Sequence, residues 1–464
     1  MARTLPDWSV LQGDIAGDVV LPDSPDYDEA RTPEVPGFED IRPRAVVRVA
    51  TDQDVAATIA MAGRAGLPVA VRSGGHCFAG HSSTPGVLID VSPMATVSTS
   101  GDEVTVGAGT RLGDLYDTLD GHGRTVPAGC GPTVGIAGLT LGGGLGILGR
   151  SHGLTLDHLL AARVVLADGR VVRCDEHHDS DLFWALRGAG GGNFGVVTSL
   201  TFRTVPAPPA TTFHLVWPFT DAVAVLDAWQ AWSPAGPDEL AASLLMTASA
   251  DVERPPVVNV FGALIGTRSD LDELLDDLVA RVGTDPASAV RKQQSYRETK
   301  RHLAEHGPAE ERPLAHPFSK SEYFRRPFPA EAIAGLLGHF SRGRIAGQSR
   351  ELDFSPWGGA YNRVPPDATA FAHRDARFLL KQAVVIDPDT PAAGRQAAWS
   401  WLRTSWESVH PWGTGGVYPN FPDPDLPAWS PAYYGDNRER LLRIKAAYDP
   451  DGFFHGGEAP TQEP

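Results

Sequence analysis

Short apolar stretches with the alternation of β-strands recur through the first two hundred positions of this 464-residue chain. Alternating positions indicate strands that bury one face, and glycine or proline between them marks the turns. Asp168-Gly169 predicts a hairpin turn between Leu166 and Val171. Strands are predicted at 44–49, 67–71, 87–90, 104–106 and 163–166.

Two segments of this half have the period of a helix. Residues 51–65 place apolar side chains on one face and begin with Thr51 and Asp52, which are both candidate N-caps. Residues 180–187 predict a second helix with Ser180 as its N-cap. Helices and strands mixed in this way favour the α+β class.

The pattern changes after Phe202. The stiff segment Val205-Pro-Ala-Pro-Pro209 predicts a domain boundary. Strands then mix with longer amphipathic helices, predicted at 269–282 and 329–340. After position 411 the density of short motifs rises again. The chain is therefore divided into residues 1–208, a second domain at 209–410, and a tail at 411–464 that returns to the first domain.

Composition and charge narrow the function. With 57 Asp and Glu against 40 Lys and Arg, the net charge is −17, which disfavours nucleic acid and anionic membranes as partners. No apolar run approaches the roughly 20 residues of a membrane span, and residues 1–20 lack the apolar core of a signal peptide, so a cytoplasmic protein is expected. Three cysteines form no disulfide framework, and no spacing typical of zinc ligands occurs, so no metal is expected.

Two glycine-rich loops carry the candidate chemistry. The first glycine loop, Arg72-Ser-Gly-Gly-His76, follows a predicted strand; its glycines allow backbone N–H groups to face an anion such as a pyrophosphate, and Arg72 adds charge. A plain turn with a surface histidine explains this loop equally well. The second glycine loop, Gly129-Cys-Gly-Pro-Thr-Val-Gly135, leaves Cys130 open to any ligand that lies on it. A buried apolar role is commoner for free cysteine, but glycines on both sides disfavour it here.

A glycine run at 142–146 follows. It lacks the Gly-Lys-Ser/Thr ending of a phosphate-binding P-loop. As a nicotinamide-binding fingerprint it lacks a convincing strand before it and a convincing acidic residue about 20 positions later.

Taken together these segments resemble the berberine-bridge-enzyme-like oxidases, which have the vanillyl-alcohol-oxidase (PCMH-type) flavoprotein fold. The resemblance extends over most of the chain and adds further segments to the glycine loops. These are Arg150–Asp157, Asp181–Val197 with its Gly-Ala-Gly-Gly-Gly-Asn-Phe-Gly core, Gly358-Gly-Ala360 with Ala372-His-Arg374, and the closing segments Tyr418-Pro-Asn-Phe421, Tyr434–Arg438 and Lys445–Pro450. The family commonly has tyrosine where this chain has Phe421.

The resemblance implies an FAD held by two covalent bonds, from His76 to the flavin 8α-methyl and from Cys130 to flavin C6. It also implies that Val134 leaves room for O₂ at the flavin. The substrate domain is expected to be an antiparallel sheet backed by helices. The cofactor-binding residues expected are Arg72, Ser73, Gly74, Gly75, His76, Gly129, Cys130, Val134, Gly135, Gly138, Gly142, Gly143, Gly144, Asp157, Asn193, Gly195, Val197, Tyr418 and Asn420.

The expected reaction is an oxidation in which hydride leaves a carbon that bears a hydroxyl or amine and O₂ becomes hydrogen peroxide. Tyr418 is the predicted base, provided that a cation or hydrogen bond lowers its pKa from about 10. Gln382 is expected near that tyrosine, and Tyr361 is a weaker candidate for substrate contact. A bulky natural product is the expected substrate and a monomer or homodimer the expected state. The alternatives are a sugar oxidase, a nicotinamide-dependent dehydrogenase and a non-enzymatic flavin-binding protein.

Overall fold

The computed structural model describes residues 6–305, 316–387, 389–426 and 428–455. Within them the strands are β1 (Asp18–Val20), β2 (Ala45–Arg48), β3 (Val69–Arg72), β4 (Val87–Asp90), β5 (Val97–Ser100), β6 (Glu103–Gly107), β7 (Arg124–Thr125), β8 (Leu159–Val165), β9 (Val171–Asp175), β10 (Val196–Arg203), β11 (Val205–Pro206), β12 (Ala210–Pro218), β13 (Leu240–Ala248), β14 (Val257–Leu264), β15 (Ser288–Gln294), β16 (His316–Phe324), β17 (Gln348–Pro356) and β18 (Phe378–Ile386).

The α-helices of the same residues are α1 (Trp8–Asp14), α2 (Tyr27–Arg31), α3 (Asp52–Ala65), α4 (Leu112–Asp120), α5 (Ile136–Gly142), α6 (Gly149–His152), α7 (Ser180–Ala189), α8 (Ala222–Trp232), α9 (Arg268–Val282), α10 (Tyr296–Glu305), α11 (Ala330–Ser341), α12 (Ala360–Arg363), α13 (Ala392–Glu407), α14 (Trp429–Tyr434) and α15 (Arg438–Tyr448). Short 3₁₀ turns lie at Thr155–His158, Phe219–Asp221, Ser233–Ala235, His410–Trp412 and Gly435–Asn437.

Two larger sheets and a short two-stranded pairing of β7 with β11 build the N-terminal half. The first has the strand order β1-β2-β4-β3, in which β2, β4 and β3 are parallel and β1 is antiparallel. The second is antiparallel, in the order β5-β6-β10-β8-β9, and contains the predicted hairpin after β8. The parallel strands need a crossover, and α3 supplies the one between β2 and β3.

The predicted cap of α3 is confirmed, whereas that of α7 is wrong by one residue. The Thr51 hydroxyl accepts a hydrogen bond from the Asp54 N–H. Ser180 instead starts α7, and the cap position is occupied by Asp179 in the left-handed region with φ 44°. The Asp179 carboxylate accepts a hydrogen bond from the Tyr448 hydroxyl at 2.8 Å and makes no hydrogen bond to the helix.

The second half is one antiparallel seven-stranded sheet, as expected, with the order β15-β12-β14-β13-β17-β18-β16. Its hydrophobic face packs under α8, α9, α11 and α13. On β18 the side chains of Phe378, Leu380 and Val384 belong to that core. The alternate residues Leu379 and Lys381 therefore lie on the opposite face, and Leu379 packs with Tyr418 in a cluster that joins the two halves.

The hydrophobic cores divide the chain in a similar way. One cluster contains residues from Leu11 to Phe202 together with residues of the tail, among them Val417 and Phe454, and with Ala370 of the second half. The other extends from Phe213 to Val409. This distribution supports the proposed division at 208 and 411.

A buried arginine joins the two halves. Arg150 of α6 donates from Nη1 to the carbonyls of Ser233 and Trp357, at 3.1 and 2.9 Å, and from Nη2 to that of Gly236 at 2.6 Å. A buried carbonyl that loses its hydrogen-bond donor is not reached by water, and leaving it unpaired lowers the stability of the folded protein. The guanidinium therefore stabilises the contact between the halves.

Replacing Arg150 with Met should lower stability by about 2–4 kcal/mol, because three buried carbonyls lose their donor. Thermal unfolding in the presence of flavin measures the loss. Arg325→Met is the control, since Arg325 pairs with Asp375 at the surface and exposed pairs contribute about 0–1 kcal/mol. Equal unfolding temperatures for the two variants would contradict this role.

Candidate active site

The two glycine loops are in backbone contact. A Cβ on Gly74 would collide with the backbone of Gly135, and one on Gly135 would collide with Ser73. Beside this contact the His76 Nε2 atom lies 2.9 Å from the Thr133 hydroxyl. The structure therefore brings the loops that carry His76 and Cys130 together, although 54 positions separate these residues in the chain.

Both residues are half-buried and chemically available. Cys130 is a free thiol in the structure. Burial lowers the pKa of His76, which favours a neutral imidazole at neutral pH. With Nε2 at the Thr133 hydroxyl, Nδ1 is the ring nitrogen left for a bond to another group.

Arg72 does not serve the role expected from the sequence. Its guanidinium donates to the carbonyls of Ala30, Arg31 and Ser82, at 2.8, 2.6 and 3.1 Å, and is only 6% exposed. These bonds fix the N-terminal segment against β3. A guanidinium used in this way is turned away from a pyrophosphate on the loop, which is the physical reason for the difference.

The glycine run is shaped by protein contacts. A Cβ on Gly143, which has φ 148°, would meet the Tyr418 ring, and one on Gly144, which has φ 94°, would meet the Thr155 side chain. At Gly142 it would meet the Asn420 amide. The glycines at these positions thus allow the tail of the chain to pack directly on the loop backbone.

Tyr418 is buried at this contact. Its hydroxyl accepts hydrogen bonds from the Gly144 N–H at 2.8 Å and from the Asn420 amide at 3.1 Å. Both bonds favour a phenolate, but burial outweighs them and raises the pKa of Tyr418 to about 12. The expected stabilising hydrogen bonds are therefore present, and the lowering of the pKa expected from them is not.

Two further predicted residues lie elsewhere than expected. Tyr361 is 3% exposed, stacks on Trp357 with ring centres 4.4 Å apart, and donates to the Gly146 carbonyl at 3.3 Å, so it lies behind the glycine run and away from a substrate. Gln382 shares the helix-covered face of β18 with Leu380, opposite to the face that packs with Tyr418. A side chain on that face does not reach Tyr418.

Several residues expected at the cofactor also make contacts within the fold. Asp157 forms a bidentate ion pair with Arg374, at 2.7 and 2.9 Å. The Asn193 amide donates to the Ala189 carbonyl at 2.8 Å. Val197 is buried in the core, and a Cβ on Gly195 would collide with β8. Gly138, by contrast, borders open space, where a Cβ would meet nothing within 4 Å.

Three charged residues that the sequence reasoning missed lie on the face of the large sheet that its helices leave uncovered and that meets the first half of the chain. Lys381 lies 3.4 Å from the Asp353 carboxylate and 5.2 Å from the centre of the Phe421 ring. Glu351 alternates with Asp353 on β17, and burial raises its pKa to about 7, with Lys381 acting to lower it. The alternation Glu-Leu-Asp-Phe at 351–354 is a signal that identifies two acids on one face of a strand.

Comparison with known proteins identifies the family. Residues 43–175 match the family model described as an FAD binding domain, and residues 417–457 match the one described as berberine and berberine like. An FAD-linked oxidoreductase of Bacillus subtilis, YgaK, is 35% identical over 95% of this chain and 96% of its own length. The chain belongs to the berberine-bridge-enzyme-like FAD-linked oxidoreductases.

Relatives named for an activity act on different molecules. Aclacinomycin-N/aclacinomycin-A oxidase of Streptomyces galilaeus is 33% identical over 89% of this chain and 84% of its own length. Chitooligosaccharide oxidase of Gibberella zeae is 30% identical over 90% of this chain and 87% of its own length. The family is therefore shown, and the substrate is left open.

Solved structures agree on the fold. Physcomitrella patens BBE-like 1 covers 99% of both chains with a TM-score of 0.88 at 26% identity. Glucooligosaccharide oxidase from Acremonium strictum, solved for its 6-S-cysteinyl, 8α-N1-histidyl FAD, has a TM-score of 0.85 at 25% identity and covers 98% of this chain and all of its own. The expected fold and an FAD-linked oxidoreductase are thereby confirmed, and the nicotinamide-dependent alternative is excluded by the family.

Among the described residues, no helix has the length and apolar character of a membrane span.

Glu351 should make stability depend on pH. The folded protein keeps this carboxyl protonated up to about pH 7, whereas an ordinary glutamate loses its proton near 4.5. The folded state binds the extra proton between these values, so stability contributed by Glu351 is present at low pH and falls as pH rises through 7. Glu351→Gln should exceed the wild type in stability at pH 8.5, on the order of 1–3 kcal/mol, and match it at pH 4.5.

Thermal unfolding across this pH range measures the difference. The control is Glu273→Gln on the exposed face of α9, which should leave the wild-type pH profile unchanged. A wild-type and a Glu351→Gln profile that run parallel from pH 4.5 to 8.5 would show that the Glu351 carboxyl ionises normally.

Proposed function

We propose that this protein is an FAD-dependent oxidase that bonds its flavin through His76 and Cys130 and removes hydride from an alcohol or lactol carbon of a bulky natural product. The observation that carries the proposal is the backbone contact between the loops of these two residues, at Gly74 and Gly135. The His76 ring lies beside Thr133 of the loop that carries Cys130, and both side chains are half-buried, which supports the proposal.

The residues present fit a doubly bonded flavin. The free thiol of Cys130 and the neutral imidazole of His76 are nucleophiles suited to bonds at flavin C6 and the 8α-methyl. The Thr133 hydroxyl at Nε2 favours a bond through Nδ1 of His76. The glucooligosaccharide oxidase of Acremonium strictum has the same pair of linkages, one cysteinyl and one histidyl, to its FAD.

When bound, FAD accepts the hydride and passes two electrons to O₂. The protein positions the substrate, removes a proton from its hydroxyl and admits oxygen. Val134, half-buried four residues after Cys130, is proposed to leave the path for O₂ open. Asn420 orders the loop beneath, because its amide donates to the Leu139 carbonyl at 2.8 Å and to the Tyr418 hydroxyl.

Asp353 is our first candidate for the proton acceptor, and Tyr418 is the second. The Asp353 carboxylate, 23% exposed, lies on the uncovered sheet face beside Lys381, which orients it with a charge at 3.4 Å. Tyr418 is 2% exposed and its hydroxyl faces the glycine run. An accessible carboxylate is better placed to accept a proton than a buried phenol with a pKa of about 12.

The substrate class follows from the same face of the sheet. Asp353 and Lys381 supply charged hydrogen-bonding groups, Glu351 supplies a buried carboxyl, and Phe421 and Phe78 supply an aromatic edge, with ring centres 6.0 Å apart. Such a combination suits a molecule with both hydroxyl groups and a ring system. A glycosylated antibiotic or other secondary metabolite meets this description, and an oligosaccharide is the alternative. The relatives named above act on one or the other.

The two covalent bonds are tested by single and double replacement. Denatured wild-type protein should stay yellow and gain the mass of one FAD. His76→Ala and Cys130→Ala should each retain bound flavin through the remaining bond, and the double variant should release it on acid precipitation. The Cys174→Ala variant, which changes a cysteine in the core, should retain both bonds. Release of all colour from acid-precipitated wild type would refute the covalent attachment.

The two candidates for proton acceptor give different kinetics. Asp353→Asn should slow anaerobic flavin reduction about 10²–10⁴-fold, since it removes the group that accepts the proton. Tyr418→Phe should slow it less than tenfold and mainly lower the stability of the fold, because the buried Gly144 N–H loses its acceptor. Stopped-flow reduction of flavin-loaded enzyme measures both. A 10²–10⁴-fold loss in Tyr418→Phe, with Asp353→Asn near wild type, would move the base to Tyr418.

A further inference from the structure

A fully buried lysine lies beneath the second glycine loop. Lys300 of α10, 3% exposed, donates from Nζ to the carbonyls of Ala128 and Gly129, the latter at 3.2 Å. The rings of Tyr116 and Tyr296 lie next to Nζ, with centres 4.8 and 5.3 Å from it and 6.5 Å from each other. An ammonium group from the second half of the chain thus contacts the backbone directly before Cys130.

Burial of this charge requires compensation. An ammonium group away from water is costly unless an anion or several acceptors surround it. In the described part of the chain no carboxylate forms an ion pair with Lys300; two carbonyls and two aromatic faces surround it instead. Burial lowers the pKa of Lys300, and the charged form is favoured by the neighbouring Cys130.

The surroundings of Cys130 lead to the same lysine. The thiol packs in a small cluster with Tyr296 and Leu303 of α10. The Tyr116 hydroxyl donates to the Gly129 carbonyl at 2.6 Å, so this carbonyl accepts from a phenol and from an ammonium group. The residue before Cys130 is therefore held by two donors at its carbonyl, one of which carries a positive charge.

We propose that Lys300 is a positioning residue for flavin attachment, which fixes the loop of Cys130 so that the sulfur bonds to the flavin. The inference rests on the proposed covalent link at Cys130. Two of the three Nζ hydrogens bond the carbonyls of Ala128 and Gly129, directly before Cys130. Hydrogen bonds from a charged donor are stronger than those from a neutral one, so the charge of Lys300 holds these carbonyls in place.

The bond formation is balanced by the oxidant of the proposed reaction. The S–H bond of Cys130 and the C–H bond at flavin C6 are broken, and one C–S bond forms. The two hydrogens with two electrons reduce O₂ to hydrogen peroxide. Lys300 keeps its proton throughout and contributes only charge and position.

The test follows the Cys130 bond and the His76 bond separately. Wild type, Lys300→Met and Lys300→Arg are purified, and the flavin carried by the peptides that contain Cys130 and His76 is measured by mass after digestion. The rise of each bond is then followed during aerobic incubation with added FAD. Tyr296→Phe is the matched control, because it changes a buried neighbour and retains the cation.

Lys300→Met should form the Cys130 bond at least tenfold more slowly than wild type, while its His76 bond forms normally and reports that the chain is folded around FAD. Lys300→Arg should recover most of the rate, and Tyr296→Phe should retain it. Equal rates in Lys300→Met and wild type would overturn the role of Lys300. A Lys300→Arg variant as slow as Lys300→Met, with the His76 bond intact, would overturn the role of its charge. Wild-type protein without flavin on Cys130 would instead refute the second covalent bond and, with it, any role of Lys300 in its formation.

Discussion

The close passage of the glycine run beneath the tail of the chain is the constraint on which the site depends. Tyr418 and Thr155 occupy the space that side chains at Gly143 and Gly144 would need. Packed interiors do not absorb an added carbon without shifting their neighbours. A substitution there would displace the Tyr418 hydroxyl, the Asn420 amide and the loop that carries Cys130 together. The loop's shape is thus fixed by protein contacts before any ligand binds.

The two halves meet through buried charges as well as apolar side chains. Arg150 and Lys300 each place a cation on backbone carbonyls, and Asp157 pairs with Arg374. Buried charged groups destabilise the fold when they lose their partners. They therefore specify one orientation of the two halves more strictly than an apolar interface does. Arg150 and Lys300 bridge the halves in opposite directions, since the first belongs to the N-terminal half and the second to the other.

Local patterns predicted part of the first half and the helices α9 and α11 of the second, because helix and strand periods and the Thr51 cap depend on neighbours in sequence. The paired anchors, His76 and Cys130, were predicted through a resemblance, and the structure places their loops in contact. The targets of long side chains were harder to predict. Arg72 donates hydrogen bonds to carbonyls some 40 positions earlier in the chain. The sheet face on which Gln382 lies depends on strand pairing, which a sequence does not reveal. Asp353 and Lys381 come together only because β17 and β18 pair.

The hydrogen bond between Gly144 and Tyr418 closes a loop of 274 residues. Contacts so distant in sequence form slowly, because closing the loop costs conformational entropy before the contact itself stabilises the fold. During synthesis, the glycine run at 142–146 is made before the second domain and the tail, so its contact with Tyr418 forms only after position 418 has been added. A chain that ends before position 418 therefore lacks the Tyr418 and Asn420 contacts that shape the glycine run, however much of the first half has folded.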